Sequence, residues 1–254
     1  MVINGLDHSE VDYTLAKGLT FYHCPSNLSS ESLAQSAMFF ILLLAGRYKE
    51  TAENFFDGVL YSPIPYGLSD RTLTIVGYGA SGSELAKRAA TFGMTIWAID
   101  FREISARERA EMPRERVGGP DQLAEFAAET DVLSVHLQLT DATRHVISRE
   151  LVAATKSSTW VFDVARGAPI DEDALCEALL AGRIGGAARD AFAEEPPQID
   201  HPVYRLTNVY VTPHTAGGSE LTFENRARFC ADNLDRLARA EEPLGRVTGA
   251  LVKA

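Results

Sequence analysis

The chain has 254 residues, of which 46% are hydrophobic and 23% are charged, and its formal net charge is -11. This balance predicts a soluble globular protein of one large or two modest domains. Because the charge is negative and no run of Lys or Arg occurs, nucleic acid and anionic membranes are excluded as expected partners. The longest apolar run, residues 37–45, is too short to span a bilayer.

The three cysteines are sparse and widely spaced: Cys24, Cys176 and Cys230. An odd set without a CxxC pair favours reduced thiols and a cytoplasmic location over disulfides or a zinc site. No metal site is expected.

Residues 30–55 are predicted to form one long helix, and residues 220–241 form another. Between them, short β-rich runs alternate with amphipathic stretches. The predicted strands are TLTIVG, TIWAID, DVLSVHL, STWVFDV, IGGAARD and NVYVTP, with helices over residues 83–91 and in EDALCEALLAG, which Gly182 can end. Continuous apolar strands separated by helices predict an α/β fold with a doubly wound parallel sheet of the Rossmann type.

The run GYGASG, residues 77–82, follows the first of these strands and opens a helix. In this GxGxxG pattern Gly77 permits the tight turn, Gly79 admits the pyrophosphate and Gly82 lets the helix approach the strand. Asp100 ends the next strand about 20 residues later, where an acid accepts hydrogen bonds from the adenosine ribose. The pattern predicts NAD as cofactor, although Arg102 leaves NADP open.

Three later segments, DVARGAPIDEDAL, ARDAFAEEPP and TPHTAGGSE, resemble signatures of the D-isomer-specific 2-hydroxyacid dehydrogenases, and the resemblance runs from about residue 5 to residue 247. It implies that Arg166 binds substrate, that His214 is the acid/base residue, and that Glu195, with Glu194 as a rival, is its acidic partner. Asp190 falls on the aspartate near the nicotinamide carboxamide. The cofactor-binding positions expected in all are Gly77, Gly79, Ala80, Ser81, Gly82, Asp100, Leu137, Val164, Ala165, Arg166, Asp190, His214 and Gly217.

The chemistry requires these residue types. Hydride transfer to a ketone carbon builds negative charge on oxygen, so a proton donor such as His214 must lie within hydrogen-bond reach. A carboxylate on the other ring nitrogen, the role implied for Glu195, orients the imidazole and favours its protonated form. The Arg166 guanidinium can hold a substrate carboxylate through two hydrogen bonds. By contrast, His136 is expected to pack beside the cofactor cleft without taking part in the chemistry.

The first residues also resemble the family, because Asn4 and Gly5 match a loop whose amides bind the substrate carboxylate. Family members normally carry further strands and helices before this loop, so we expect a truncated or misassigned start, with a partner chain that completes the domain as the alternative. The expected division is a Rossmann domain over residues 47–221. Residues 1–46 and 222–254 would form an incomplete flavodoxin-like substrate domain with the hinge helices.

The resemblance predicts NAD-dependent interconversion of a small 2-oxo acid and a D-2-hydroxy acid. Glu195 argues against a formate dehydrogenase of this family, which would carry glutamine there. A phosphite-type dehydrogenase and a catalytically silent NAD(H)-binding regulator stay open. The resemblance also implies a homodimer whose arm is residues 54–70.

Two departures from the family pattern are charged residues on strands expected to be neighbours. Asp163 stands where asparagine is usual, and Arg189 replaces an apolar residue. We expect the two to form an ion pair beside the cofactor cleft.

Overall fold

The computed structural model describes residues 11–112 and 115–247. Its α-helices are α1 (Val11–Ala16), α2 (Ser30–Ala45), α3 (Tyr48–Phe56), α4 (Ala80–Thr91), α5 (Ala106–Glu111), α6 (Leu123–Glu129), α7 (Arg149–Ala154), α8 (Glu172–Leu180) and α9 (Glu220–Ala238). Its strands are β1 (Thr72–Val76), β2 (Thr95–Ile99), β3 (Glu115–Gly118), β4 (Val132–Val135), β5 (Trp160–Asp163), β6 (Gly186–Arg189) and β7 (Val209–Val211). None of the helices in these ranges is both long and apolar enough to cross a membrane.

The strands form one parallel sheet in the order β3-β2-β1-β4-β5-β6-β7. The order reverses between β1 and β4, and in such sheets ligands bind at the carboxyl ends of the strands beside this point. The predicted doubly wound Rossmann-type fold is confirmed.

Both faces of the sheet are buried, which explains why its strands are apolar without alternation. Leu73 and Ile75 of β1 pack in one hydrophobic cluster with residues of α2 and α4. Val76 of the same strand and Leu133 of β4 belong to the cluster on the opposite face, with residues of α6 and α8. Burial of each such side chain contributes about 1.5–3 kcal/mol, so the apolar clusters fix the loops at the strand ends.

The prediction of one helix over residues 30–55 is wrong, because the chain turns at Arg47 between α2 and α3. Arg47 adopts a left-handed conformation with φ 49°. The Ala45 carbonyl therefore accepts a hydrogen bond from the Tyr66 amide (2.7 Å) instead of continuing the helix. After the turn, Lys49 Nζ donates to the Leu206 carbonyl at 3.0 Å.

Smaller differences concern element ends. Helix α4 begins at Ala80, three residues before the predicted start, and α9 ends at Ala238 rather than at residue 241. Strand β3 was not predicted, because its sequence ERVG is short, charged and lies at the sheet edge.

The described parts of the two chain ends meet at a bridge between Tyr22 and Arg246. The His23 amide also donates to the Gly245 carbonyl at 2.9 Å. The flavodoxin-like arrangement of these ends stays a prediction.

Candidate active site

The glycine-rich turn after β1 has the geometry that a pyrophosphate needs. Gly77 has φ +99°, and a Cβ there would lie 2.9 Å from the His136 carbonyl. Gly79 stands at the N-cap of α4, and a Cβ on it would meet nothing within 4 Å in the described ranges. Ala80, Ser81 and Gly82 form the first turn of α4. The exposed amides and partial positive charge of a helix start favour a bound phosphate there.

His136 ties this turn to the end of β4. Its Nδ1 lies 3.0 Å from Ser81 Oγ and its Nε2 lies 2.9 Å from Ser134 Oγ. Desolvation lowers the pKa of His136 to about 4, so the ring is neutral near pH 7. Leu137 follows as a buried residue. His136 therefore holds the glycine-rich turn in place, which agrees with its expected packing role.

Asp100 lies directly after β2 and is almost fully buried. Its carboxylate accepts hydrogen bonds from the amides of Tyr78 (2.8 Å) and Arg102 (3.1 Å). A cavity of about 350 Å³ opens beside it, and its walls include Gly118 and Pro120. The cavity and the acid beside it fit the adenosine half of a dinucleotide.

Arg166 lies on the turn that follows β5, after Val164 and Ala165. The Oδ1 of Asp163 fixes this turn because it accepts hydrogen bonds from the amides of Ala165 (3.0 Å) and Arg166 (3.1 Å). A Cβ on Gly167 would lie 2.0 Å from the Phe192 carbonyl carbon. Only glycine allows the backbone of the Arg166 turn to approach the loop after β6 this closely.

Glu195 and His214 form a hydrogen-bonded pair across two loops. The Nδ1 of His214 lies 2.9 Å from the Glu195 carboxylate, and about a third of each side chain is exposed. The Phe192 amide also donates to Glu195 at 3.1 Å. Glu195, and not its neighbour Glu194, is thus the partner of the histidine.

The backbone of His214 is itself unusual, with φ +55°. Left-handed conformations of non-glycine residues carry strain and cluster at functional sites. The strain is held by Asp190, whose carboxylate accepts hydrogen bonds from Thr212 Oγ1 (2.5 Å), Thr215 N (2.8 Å) and Ala216 N (2.8 Å). Asp190 is fully buried. It anchors the loop on both sides of His214, a role the sequence did not predict.

The expected ion pair between Asp163 and Arg189 is wrong. The two residues are in register on β5 and β6, yet the guanidinium of Arg189 pairs with Glu172, at 2.6 Å from Oε1 and 3.1 Å from Oε2. Glu172 Oε2 also accepts a hydrogen bond from the Ala193 amide at 3.0 Å, and Arg189 donates one to the Ala191 carbonyl at 3.2 Å. The carboxylate in the first turn of α8 outcompetes Asp163, because it reaches both the cation and the loop that leads to Glu195.

Asp163 is consequently a buried acid without an ion-pair partner of its own. Its side chain is fully buried, and Oδ2 has no hydrogen-bond partner in the described part of the chain. Burial raises the pKa of Asp163 to about 7, against an opposing effect of the nearby Arg189 charge.

Arg166, Glu195 and His214 follow the carboxyl ends of three neighbouring strands, β5, β6 and β7. The fold thus brings together a cation, a carboxylate and an imidazole that the sequence separates widely. Gly217 follows the His214 loop and faces Leu33 of α2. Asn4 and Gly5 lie outside the described residues.

Comparison with known proteins shows which family and which folds this chain resembles. Residues 38–216 match the family described as D-isomer specific 2-hydroxyacid dehydrogenase, NAD binding domain. The chain is 34% identical to a D-3-phosphoglycerate dehydrogenase of Methanocaldococcus jannaschii over 93% of this chain and 44% of that protein. It is 35% identical to a hydroxypyruvate reductase of Thermotoga maritima over 83% of this chain and 67% of that protein.

Among solved structures, the fold resembles a D-lactate dehydrogenase from Aquifex aeolicus complexed with NAD and lactic acid. The TM-score is 0.83 at 25% identity, covering 93% of this chain and 74% of that one. The chain thus spans between less than half and about three quarters of these relatives.

Proposed function

The chain belongs to the family of D-isomer specific 2-hydroxyacid dehydrogenases, and on that premise we propose that it is an NAD-dependent oxidoreductase. Its reaction is the interconversion of a small 2-oxo acid and the corresponding D-2-hydroxy acid. The glycine turn, Asp100 and the cavity beside it fit NAD, whose nicotinamide supplies or accepts the hydride when bound.

The side chains then have distinct roles in the proposed reaction. Arg166 binds the substrate carboxylate and polarises the adjacent carbonyl, for which a planar guanidinium with paired donors is suited. His214 donates a proton to the substrate oxygen during reduction and takes it back during oxidation. Glu195 occupies Nδ1 and orients the ring.

The observation that carries this proposal is the pair formed by Glu195 and His214, held at 2.9 Å on a strained loop. Both carboxylate oxygens of Asp190 accept hydrogen bonds from that loop and fix its conformation. An oriented acid/base histidine beside an arginine turn is what an enzyme requires. A catalytically silent NAD(H)-binding regulator has no need of it, so the enzyme is favoured.

The proposal is tested by following NADH absorbance with glyoxylate, hydroxypyruvate and pyruvate, and NAD reduction with D- and L-2-hydroxy acids. We expect oxidation of NADH with at least one 2-oxo acid and a preference for D-2-hydroxy acids in the reverse direction. Phosphite with NAD is included, since turnover with phosphite alone would assign the phosphite-type reaction. NADH binding without turnover of any of these compounds would instead support the regulator.

We also propose a homodimer built on residues 54–70. Several large apolar side chains of this arm are exposed, including Phe56 at 86%, Tyr61 at 97% and Ile64 at 78%. Exposed apolar side chains of this size favour a protein partner, and a second copy of the chain would cover them.

The proposed domains are a Rossmann domain over residues 47–221 and a substrate domain formed by residues 1–46 together with 222–254. A cytoplasmic location is proposed from the three free cysteines, Cys24, Cys176 and Cys230.

A further inference from the structure

A cation lies beside the proposed adenosine site. Arg102 follows β2 by three residues and lines the cavity of about 350 Å³ together with Asp100. An arginine in this position is the group that accommodates the 2'-phosphate of NADP. Whether this chain discriminates against NADP therefore depends on what the guanidinium of Arg102 already binds.

The guanidinium of Arg102 is engaged by Glu108 of α5. Its two terminal nitrogens donate to the two carboxylate oxygens, Nη2 to Oε1 at 2.7 Å and Nη1 to Oε2 at 3.1 Å. Nη2 also donates to the Tyr78 carbonyl at 2.7 Å, and Nε lies 3.5 Å from Asp100 Oδ2. Paired donors on one carboxylate give the geometry of a strong charge-assisted contact. The donors that would meet a phosphate are thereby directed to protein oxygens.

Glu108 is held in this position independently of Arg102. It is the third residue of α5 and forms a capping box with Ser105, whose amide (2.9 Å) and hydroxyl (2.7 Å) donate to Oε2. Hydrogen bonds from Arg102 and Ser105 lower the pKa of Glu108 to about 2, so the carboxylate is charged throughout the neutral range. The acceptor is therefore in place before any cofactor arrives.

We infer that Glu108 is a specificity-determining residue that withholds Arg102 from the 2'-phosphate of NADP(H). Two acids then determine selectivity for NAD(H). Asp100 repels the 2'-phosphate directly, and Glu108 binds the Arg102 guanidinium that would otherwise contact this phosphate. This inference rests on the proposed function only in requiring that the cavity binds a nicotinamide dinucleotide.

The test measures affinity for NADH and NADPH by isothermal titration of the full chain carrying Glu108→Gln. Glutamine at the third helix position preserves the capping box, so the change removes the charge and spares the helix. A guanidinium free to bind a phosphate gains a charge-assisted hydrogen bond, which is worth about tenfold or more in affinity. We expect the NADPH affinity to rise about tenfold and the NADH affinity to change by less than about twofold.

The matched control is Glu111→Gln, on the same helix with the same change of charge. Glu111 pairs with Arg107 at 3.1 Å on the exposed side of α5, and its removal is expected to leave both affinities unchanged. Combining Glu108→Gln with Arg102→Ala should abolish the gain in NADPH affinity, because the gain requires the guanidinium.

Three results would overturn the inference: an unchanged NADPH affinity in Glu108→Gln, an equal gain in the control, or a gain that survives Arg102→Ala. If the unaltered chain binds neither NADH nor NADPH, the proposed function fails together with the inference. If NADH binds and the NADPH affinity does not respond, the inference alone fails.

Discussion

Asp163→Asn is expected to stabilise the protein above about pH 7, and its effect on the free energy of unfolding should become more favourable as the pH rises. The carboxyl group is fully buried and binds the amides of Ala165 and Arg166 through Oδ1, while Oδ2 has no hydrogen-bond partner in the described part of the chain. Asparagine keeps an oxygen for the two amides and removes the ionisable group. The substitution therefore isolates the free energy of burying this acid.

The magnitude follows from the pKa of Asp163, which burial raises from 3.8 to about 7. In the unfolded chain the acid ionises near pH 4, whereas in the fold it keeps its proton until about pH 7. Between these pH values the folded state binds a proton that the unfolded chain has released. The free energy of unfolding of the wild type therefore falls as the pH rises from about 4 to about 7. With about 1.4 kcal/mol per pKa unit, the loss approaches about 4 kcal/mol above pH 7. The new amide NH₂ offsets about 1–3 kcal/mol of the gain if it lacks an acceptor.

Urea unfolding at about pH 5 and about pH 8 measures this directly. The stabilisation by Asp163→Asn should be about 2–3 kcal/mol larger at pH 8, a difference that the unsatisfied amide does not affect. The exposed Asp141→Asn serves as control and should stay within about 0.5 kcal/mol at both pH values. Destabilisation by Asp163→Asn that grows with pH would refute the reasoning, because it would mean an ionised Asp163 paired with Arg189.

Three further predictions follow from the site. Arg189→Leu should destabilise the fold by about 3 kcal/mol or more in urea unfolding, since it leaves Glu172 without its buried cation. The control Arg149→Leu, which breaks an exposed ion pair with Glu177 of α8, should cost no more than about 1 kcal/mol, and equal losses would contradict the assigned burial. Arg166→Lys should raise the KM for the 2-oxo acid about tenfold, because the paired hydrogen bonds to the substrate carboxylate are lost. The NADH affinity measured by titration should be unchanged, and an unaltered KM would show that Arg166 does not bind the substrate. Light scattering should show a dimer at micromolar concentration that Tyr61→Asp weakens, and a monomeric wild type would count against the dimer.

The cofactor half of the site was predictable from sequence because its signals are local. Gly77, the helix start and Asp100 lie within one βαβ unit, so their spacing alone predicts the geometry. The identity of the acid that pairs with His214 was also predictable, since Glu195 is a motif position.

The contacts between residues far apart in the chain were not predictable from sequence. Arg189 stands out in the sequence as a charge in an apolar strand, but its partner Glu172 lies 17 residues earlier on a helix. Nothing in the sequence indicates toward which acid the Arg189 side chain turns. The break of the long helix at Arg47 has the same origin, because tertiary contacts of Lys49 and Tyr66 override the helical pattern.

The positioning role of Asp190 shows a different limit. The family resemblance implies that this residue lies near the nicotinamide, and the structure adds three hydrogen bonds that it accepts from the His214 loop. Only the parallel pairing of β6 with β7 brings the two loops together.

The central claim is that His214 supplies the proton for reduction of a 2-oxo acid by bound NADH. Its most direct test is a single-turnover experiment in which the complex with NADH is mixed with saturating glyoxylate or hydroxypyruvate and the loss of NADH is followed. We expect the wild type to oxidise the bound NADH with at least one of the two acids. In His214→Ala the rate should fall by about 10²-fold or more, with titrated NADH affinity unchanged. A variant that oxidises NADH at the wild-type rate, or a wild type that binds NADH and oxidises none of it with either acid, would contradict the account.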